Sequence, residues 1–388
     1  MALAEAAKGS DRPTLALLTE EEDLLVRAGQ LAPRCGLTSA MGAILPIKPV
    51  GVRDGPAFIS GSLISGPRQG FEKLFEVLAA SGDPREAELA RSGDLALADW
   101  KSPLIACSGR ILQPGSLDRG ERPLVMGILN VTPDSFSDGG AYLDPEAAVA
   151  RGLEMEAEGA DLIDVGGEST RPGSEPVSLE VESSRVLPVI EKLAGRLRVP
   201  ISIDTTKAEV ARRALESGAS LINDVSGLGL DGLMPQLAAA AKVPVVIGHM
   251  RGRPKTMQEE PHYLHPVLEV LVDLALKVRV ARDAGVGASH LLVDPGIGFG
   301  KRLEDNLALL RHLRILRALR CPVLAGLSRK SFLGVLTGSK VTDRLPATLA
   351  AEVLAAAAGA DILRTHEPGA LLDALKVASG ISGSFVSH

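Results

Sequence analysis

Aromatic residues are scarce, at 3% of a 388-residue chain with a single Trp and two Tyr. With so few rings and an abundance of Ala, Leu, Val and Gly, the composition suits an α/β core in which close-packed helices cover parallel strands. Cysteine is scarce too. Cys35, Cys107 and Cys321 are odd in number, far apart and without a C-x-x-C pair, so neither a disulfide framework nor a zinc site is indicated and a reducing compartment is expected. No apolar run reaches the ~18 residues that a membrane span needs. The opening MALAEAAKGSD lacks a basic start leading into an apolar block, and the expectation is a soluble cytoplasmic protein with no membrane partner. Nor is positive charge in excess: a formal net charge of -6 gives no reason to expect nucleic acid as a partner. The one local basic cluster, Arg311, Arg314, Arg317 and Arg320, alternates with Leu310, Leu313, Leu316 and Leu319 and reads as the solvated side of a helix.

What is present divides the chain near residue 112. Residues 1–112 read as a small α+β unit without a Gly-rich phosphate loop, metal spacing or catalytic pairing. Thr19 with Glu22 is a capping box opening a helix through Leu24, Leu25, Ala28 and Leu31. Residues 43–50 and 57–64 read as strands, and 69–80 as an amphipathic helix. Residues 101–114 form a connection whose two short strands, 104–107 and 110–112, are placed to make a hairpin beneath the domain that follows, residues 113–388.

That domain opens on residues 124–140, LVMGILNVTPDSFSDGG, an apolar run that stops at Asn130 and becomes a loop of turn-formers and hydroxyls. It reads as a buried strand delivering a polar loop to a site. The plan repeats downstream. GADLID at 159–164, GASLIN at 218–223 and GADILR at 359–364 share a helix-ending Gly, a short apolar strand and a polar stop, and GVGASHLLVD ending at Asp294 is a longer version. The Gly permits the left-handed cap that turns each helix back to the sheet. Eight strands end near Asn130, Asp164, Asp204, Asn223, His249, Asp294, Ser328 and Arg364. Eight β/α units over about 265 residues match a (β/α)8 TIM barrel. A doubly wound sheet is the alternative. GIGFGK at 296–301 is a poor dinucleotide fingerprint, because its glycines are spaced G-x-G-x-G after Asp294-Pro295 and it is not the first βα turn.

In a barrel the C-terminal strand ends converge on one face. Singly, each polar stop reads as a helix cap or turn former; eight together form a site. Asp204, Asn223, Asp294 and Lys330 can hold a flat, nitrogen-rich ring by its edge, and Arg364, His366 and Asn130 suit an anion. His366 lies two residues after Arg364 and shares its strand face. Lys330 gains from standing at the seventh strand end, whereas Lys301 has no such place and reads as a surface lysine. Asp164 and Glu168 read as orienters of the second loop. His262 and His265 have H-x-x-H spacing but lie in a Pro-flanked loop without a third ligand, which argues against metal.

GILNVTPDSFSDGG, IDVGGESTRPG, SIDTTK, INDVSG, GHMRGRPKTMQ, DPGIGFGK, LSRKSFLG and RTHE, in this order, resemble dihydropteroate synthase over about residues 113–388. The resemblance implies a TIM barrel that joins the pyrophosphate ester of 6-hydroxymethyl-7,8-dihydropterin to p-aminobenzoate in folate synthesis, releasing pyrophosphate, and that is the sulfonamide target. It implies that Asp204, Asn223, Asp294 and Lys330 line the pterin pocket, that Asn130 contacts pyrophosphate-bound Mg2+, and that Arg364 and His366 grip the pyrophosphate oxygens. Phe136, Thr170, Arg171 and Pro172 would complete the p-aminobenzoate pocket beside Phe299, Lys330 and Ser331. In the implied reaction the C–O bond breaks first, the ring delocalises the cation and the arylamine attacks, with Lys330, Arg364, His366 and Asp294 as the catalytic set and loops 130–140 and 166–174 excluding water. A homodimer is the expected assembly.

Two departures bear on the site. Gly248 stands where the family commonly has a Met that packs on the pterin, which predicts a looser pocket or one filled by another side chain. The last strand runs Arg364-Thr365-His366-Glu367-Pro368 and keeps the contact residues. Residues 1–112 are an extension that typical members lack, expected to serve packing or oligomerisation. A pterin-binding methyltransferase barrel is the rival reading, but it has no need of the Arg364–His366 grip. A catalytically silent barrel would have no reason to keep both TPDSF and GGESTRPG.

Overall fold

A computed structural model of the chain describes residues 104–107, 110–132, 145–169, 173–252 and 256–382, helical residues between 73 and 80, and the backbone of five earlier strands. Those five are β1 (Ala2–Glu5), β2 (Thr14–Thr19), β3 (Thr38–Ala40), β4 (Ile44–Ile47) and β5 (Ala57–Ser65). They pair antiparallel in the order β1-β2-β5-β3, with β4 also on β5. β4 and β5 fall on the stretches expected to be extended; β2 was not foreseen. The helix expected after Thr19 lies outside the described residues.

Eight parallel strands follow: β8 (Leu124–Asn130), β9 (Leu162–Gly166), β10 (Ile201–Asp204), β11 (Leu221–Asp224), β12 (Val245–Gly248), β13 (Leu291–Asp294), β14 (Leu324–Gly326) and β15 (Ile362–Thr365). Their order is β13-β12-β11-β10-β9-β8-β15-β14. A parallel bridge between Val293 and Val323, with the Val293 N–H donating to Pro322 O at 3.0 Å, joins the two ends. The expected TIM barrel is therefore the observed architecture.

Strand alternation sorts the side chains. Leu124, Met126, Leu162, Val246, Leu292 and Ile362 point inward as one apolar layer, while neighbours such as Val125, Ile163, Ile203 and Val293 face the surrounding helices. The helix Leu179–Ala194 shows why it docks: Ser178 caps it by accepting from Val181 N, and Val186, Val189, Ile190 and Leu193 make one buried stripe. Gly159, Gly218 and Gly359, the helix-ending residues of the repeat, have φ between 101° and 114°, backbone that a side chain rarely adopts.

The expected hairpin is present as β6 (Ile105–Cys107) and β7 (Arg110–Leu112). Ile105 and Cys107 join the inward apolar layer and close the barrel from its N-terminal end. Cys107 Sγ donates to Ser220 O at 3.1 Å. Burying Ile105 in this plug contributes roughly 2–3 kcal/mol.

The solvated arginine face holds for Arg311 and Arg320, which are exposed, but not for Arg317. Leu313–Leu319 is a 3-10 helix, in which residues three apart eclipse one another. Arg314 and Arg317 therefore stack on one side and turn inward: Arg317 Nη1 and Nη2 donate to Asp118 at 2.7 and 2.9 Å and Nη2 to Ser116 Oγ at 2.6 Å. Arg317 is only 4% exposed.

Candidate functional site at the barrel mouth

Above the apolar layer the inward positions become polar. Asp204, Asn223, Asp294 and Arg364 are the last inward residues of β10, β11, β13 and β15, and Asp164 is the inward residue before Gly166 at the end of β9, so the five ring the C-terminal mouth. Arg364 Nε donates to Asp164 Oδ2 at 2.6 Å and its Nη2 to Asp204 Oδ2 at 2.7 Å, while Asn223 Nδ2 donates to Asp164 Oδ2 at 2.9 Å. This leaves Asp164 Oδ1 and Asp204 Oδ1 buried and without a hydrogen-bond partner. A native interior rarely leaves a carboxylate oxygen unmatched, and two of them in one cleft can accept from a donor-rich molecule. Burial pushes the Asp204 carboxyl up to about 7, with Arg364 opposing and Asp164 adding to the rise.

Asp294 closes the ring from β13. Its Oδ1 accepts from Gly296 N at 2.7 Å, and burial raises its carboxyl above the ordinary range. Lys330 precedes the helix Ser331–Thr337, and its ammonium lies 3.9 Å from the centroid of the Phe299 ring. Burial brings Lys330 down to about 8, with Asp294 holding it up. Ser331 is exposed at the first position of that helix.

Asn130, at the end of β8, places Nδ2 3.4 Å from His366 Nε2. Ser328 Oγ lies 2.9 Å from His366 Nδ1 and accepts from its backbone N–H, so the imidazole is held from both sides. Arg364, expected beside this pair at the rim, instead turns its guanidinium into the carboxylates of the ring-binding cluster. Phe136, Thr170, Arg171 and Pro172 lie outside the described residues.

Several expectations change. Asp164 does not orient the second loop; it sits at the centre of the cluster, because its position on β9 points inward. Glu168 pairs with Lys207, whose ammonium also bonds Glu182 Oε2 at 2.6 Å. Lys301 is not at the surface but 3% exposed. Beside Gly248 there is no gap: a Cβ there would come within 2.5 Å of Val225 O, so backbone already fills the space a family Met would need. Ser328 and Asp164 were legible as inward strand-end positions, whereas no sequence signal shows that Lys301 is buried.

An eight-stranded barrel with unmatched carboxylates, an amide and a lysine around its mouth belongs to the class of pterin-binding barrels. The profile of the pterin binding enzyme family matches residues 126–366. A dihydropteroate synthase of Synechocystis sp. is 45% identical over 265 residues, covering 68% of this chain and 92% of its own. The Xanthomonas albilineans dihydropteroate synthase with 4-aminobenzoic acid superposes with a TM-score of 0.67 at 48% identity, over 73% of this chain and 99% of that one. The same enzyme in complex with 7,8-dihydropteroate gives 0.64 at 46% identity, over 72% and 99%. The chain belongs to the dihydropteroate synthase family.

Proposed function

We propose that the chain condenses 6-hydroxymethyl-7,8-dihydropterin pyrophosphate with p-aminobenzoate, giving dihydropteroate and pyrophosphate. The observation that carries this reading is the pair of unmatched oxygens, Asp164 Oδ1 and Asp204 Oδ1, beside Asn223 and Arg364. The 2-amino and ring N–H groups of a pterin are the donors these acceptors lack, and the Asn223 amide matches either polarity. Relatives solved with 4-aminobenzoic acid and with 7,8-dihydropteroate support both halves of the substrate pair.

As the pterin C–O bond lengthens, positive charge grows on the ring, and Asp204 and Asp294 favour it electrostatically. Lys330 and Arg364 hold these carboxylates in place and supply cations toward the departing anion. His366, braced by Ser328 and Asn130, lines the pyrophosphate end. Phe299, Ser331, Phe136 and the 170–172 segment complete the p-aminobenzoate side. The Asn130 side-chain oxygen is a hard neutral ligand of the kind that holds Mg2+ together with substrate phosphates, and the ion would neutralise the leaving group.

The assembly is a homodimer in this proposal. Val335, Leu336, Leu345, Leu354, Val377 and Ile381 are exposed on three consecutive helices, Ser331–Thr337, Leu345–Ala357 and Pro368–Ile381, a concentration of apolar surface suited to a second copy. Residues 1–112 serve packing or oligomerisation, since the barrel alone spans 92% of the Synechocystis relative. No described helix is long and apolar enough to cross a membrane. Two free buried cysteines, Cys107 and Cys321, suit a reducing cytoplasm.

The test is pyrophosphate release that requires both p-aminobenzoate and Mg2+. It is expected in the wild type and strongly reduced in Lys330→Ala. Release indifferent to p-aminobenzoate would refute the function; an unimpaired Lys330→Ala would refute the site.

A further inference from the structure

Lys301 is a buried cation with no assigned task. Its Nζ meets four acceptors: His249 Nδ1 at 2.9 Å, Gly296 O at 2.9 Å, Phe299 O at 3.1 Å and His249 O at 3.3 Å. Three of these are carbonyls from two different loops, those after β12 and β13. The loops meet backbone to backbone. Gly296, at φ 63°, would place a Cβ 1.8 Å from His249 O, and Gly300, at φ 60°, 2.2 Å from Arg251 O. Such an approach leaves little room for water at the carbonyls; the Lys301 amine donates to all three, and Gly296 O also accepts from the Phe299 N–H at 3.0 Å.

The same loop is hung from its other side. Gly298 N donates to Asn306 Oδ1 and Gly298 O accepts from Gln258 Nε2, each at 2.7 Å. Between these fixed points stands Phe299, and on its ring lies the ammonium of Lys330. His249 fits the arrangement: burial, then the charges of Lys301, Lys277 and Arg251, hold its imidazole neutral, so one ring nitrogen is free to accept. Burial also draws Lys301 down, with Asp294 as the opposing charge.

We propose that Lys301 is a positioning residue of the condensation site, fixing Phe299 under the ammonium of Lys330 by gathering the carbonyls of the two loops. The inference rests on the condensation reading above. Lys301 touches no substrate itself; it acts through the loop between Asp294 and Lys301.

Lys301→Met removes the donor and keeps the apolar stem. The expected result is a fall of about tenfold or more in kcat/KM for p-aminobenzoate, carried by KM more than by kcat, with the alkaline limb of the pH profile moving downward as Lys330 loses the ring contact that favours its protonated form. A variant that loses only thermal stability, with kcat/KM and the alkaline limb unchanged, overturns the proposal. If Lys301→Met does not fold, Phe299→Leu reads the same link: a downward shift of the alkaline limb supports it, and an unmoved or raised limb overturns it. Wild-type p-aminobenzoate-dependent turnover, measured alongside, separates the two failures. Its absence sinks the condensation reading, whereas its presence with unaltered variants sinks only the role of Lys301.

Discussion

Two buried arginines, one at each end of the same barrel, are both held by carboxylates. At the N-terminal end Arg317 meets Asp118, Arg119 meets Asp361 Oδ1 at 2.8 Å, and Val323 N donates to Asp361 Oδ2. Every oxygen of those two carboxylates has a donor. At the mouth Arg364 meets Asp164 and Asp204, and each keeps one oxygen unmatched. Both ends pair arginine with buried carboxylates, so that pairing does not mark a site; the two unmatched oxygens that Asp164 and Asp204 hold side by side at the mouth set this end apart. In one cluster every carboxylate oxygen is matched, and in the other two acceptors remain for the ligand proposed above.

The sharpest way to break this contrast is to truncate both arginine clusters. Arg364→Ala should reduce p-aminobenzoate-dependent pyrophosphate release more than about 100-fold, because it strips the partner from two buried carboxylates that must face the pterin. If the mouth were only structural, the variant would lose stability and keep kcat/KM. Asp118→Ala should do the reverse, lowering unfolding free energy by about 3 kcal/mol in denaturant titration with KM for both substrates unchanged.

A smaller effect is expected with pH. Asp204 must be ionised to accept a pterin N–H and sits at about 7, and Lys330 must be protonated and sits at about 8. The kcat/KM profile should therefore be a narrow bell, falling below about 7 and above about 8, with both limbs belonging to coupled groups. Because the folded-state value of Asp204 lies above its unfolded value, its contribution to stability declines as pH rises from about 4 to about 7 and is level beyond. Asp204→Asn should remove both the acid limb and that slope; an acid limb that stays in place would assign it to another group.

Much of the mouth was readable in one dimension. A short apolar run that stops on a polar residue is a strand end, four of the runs follow a helix-ending Gly, and eight in series permit little but a barrel. Lys301 was misjudged because its acceptors are backbone carbonyls of loops after two different strands, a meeting that spacing along the chain does not record. Arg317 was misjudged because its segment winds as a 3-10 helix; at 3.6 residues per turn the same spacing would carry the arginines around and out to solvent.

The order of polar stops along 265 or so residues determined the barrel and the chemical kind of its mouth, since strand alternation is a local rule that backbone sterics enforce. Which of those polar groups are already satisfied was decided only by the tertiary structure. Hydrogen-bond partners such as Arg364 and Asp164 lie two hundred residues apart and meet because the barrel closes. That closure leaves two carboxylate oxygens waiting at one end and none on Asp118 or Asp361 at the other.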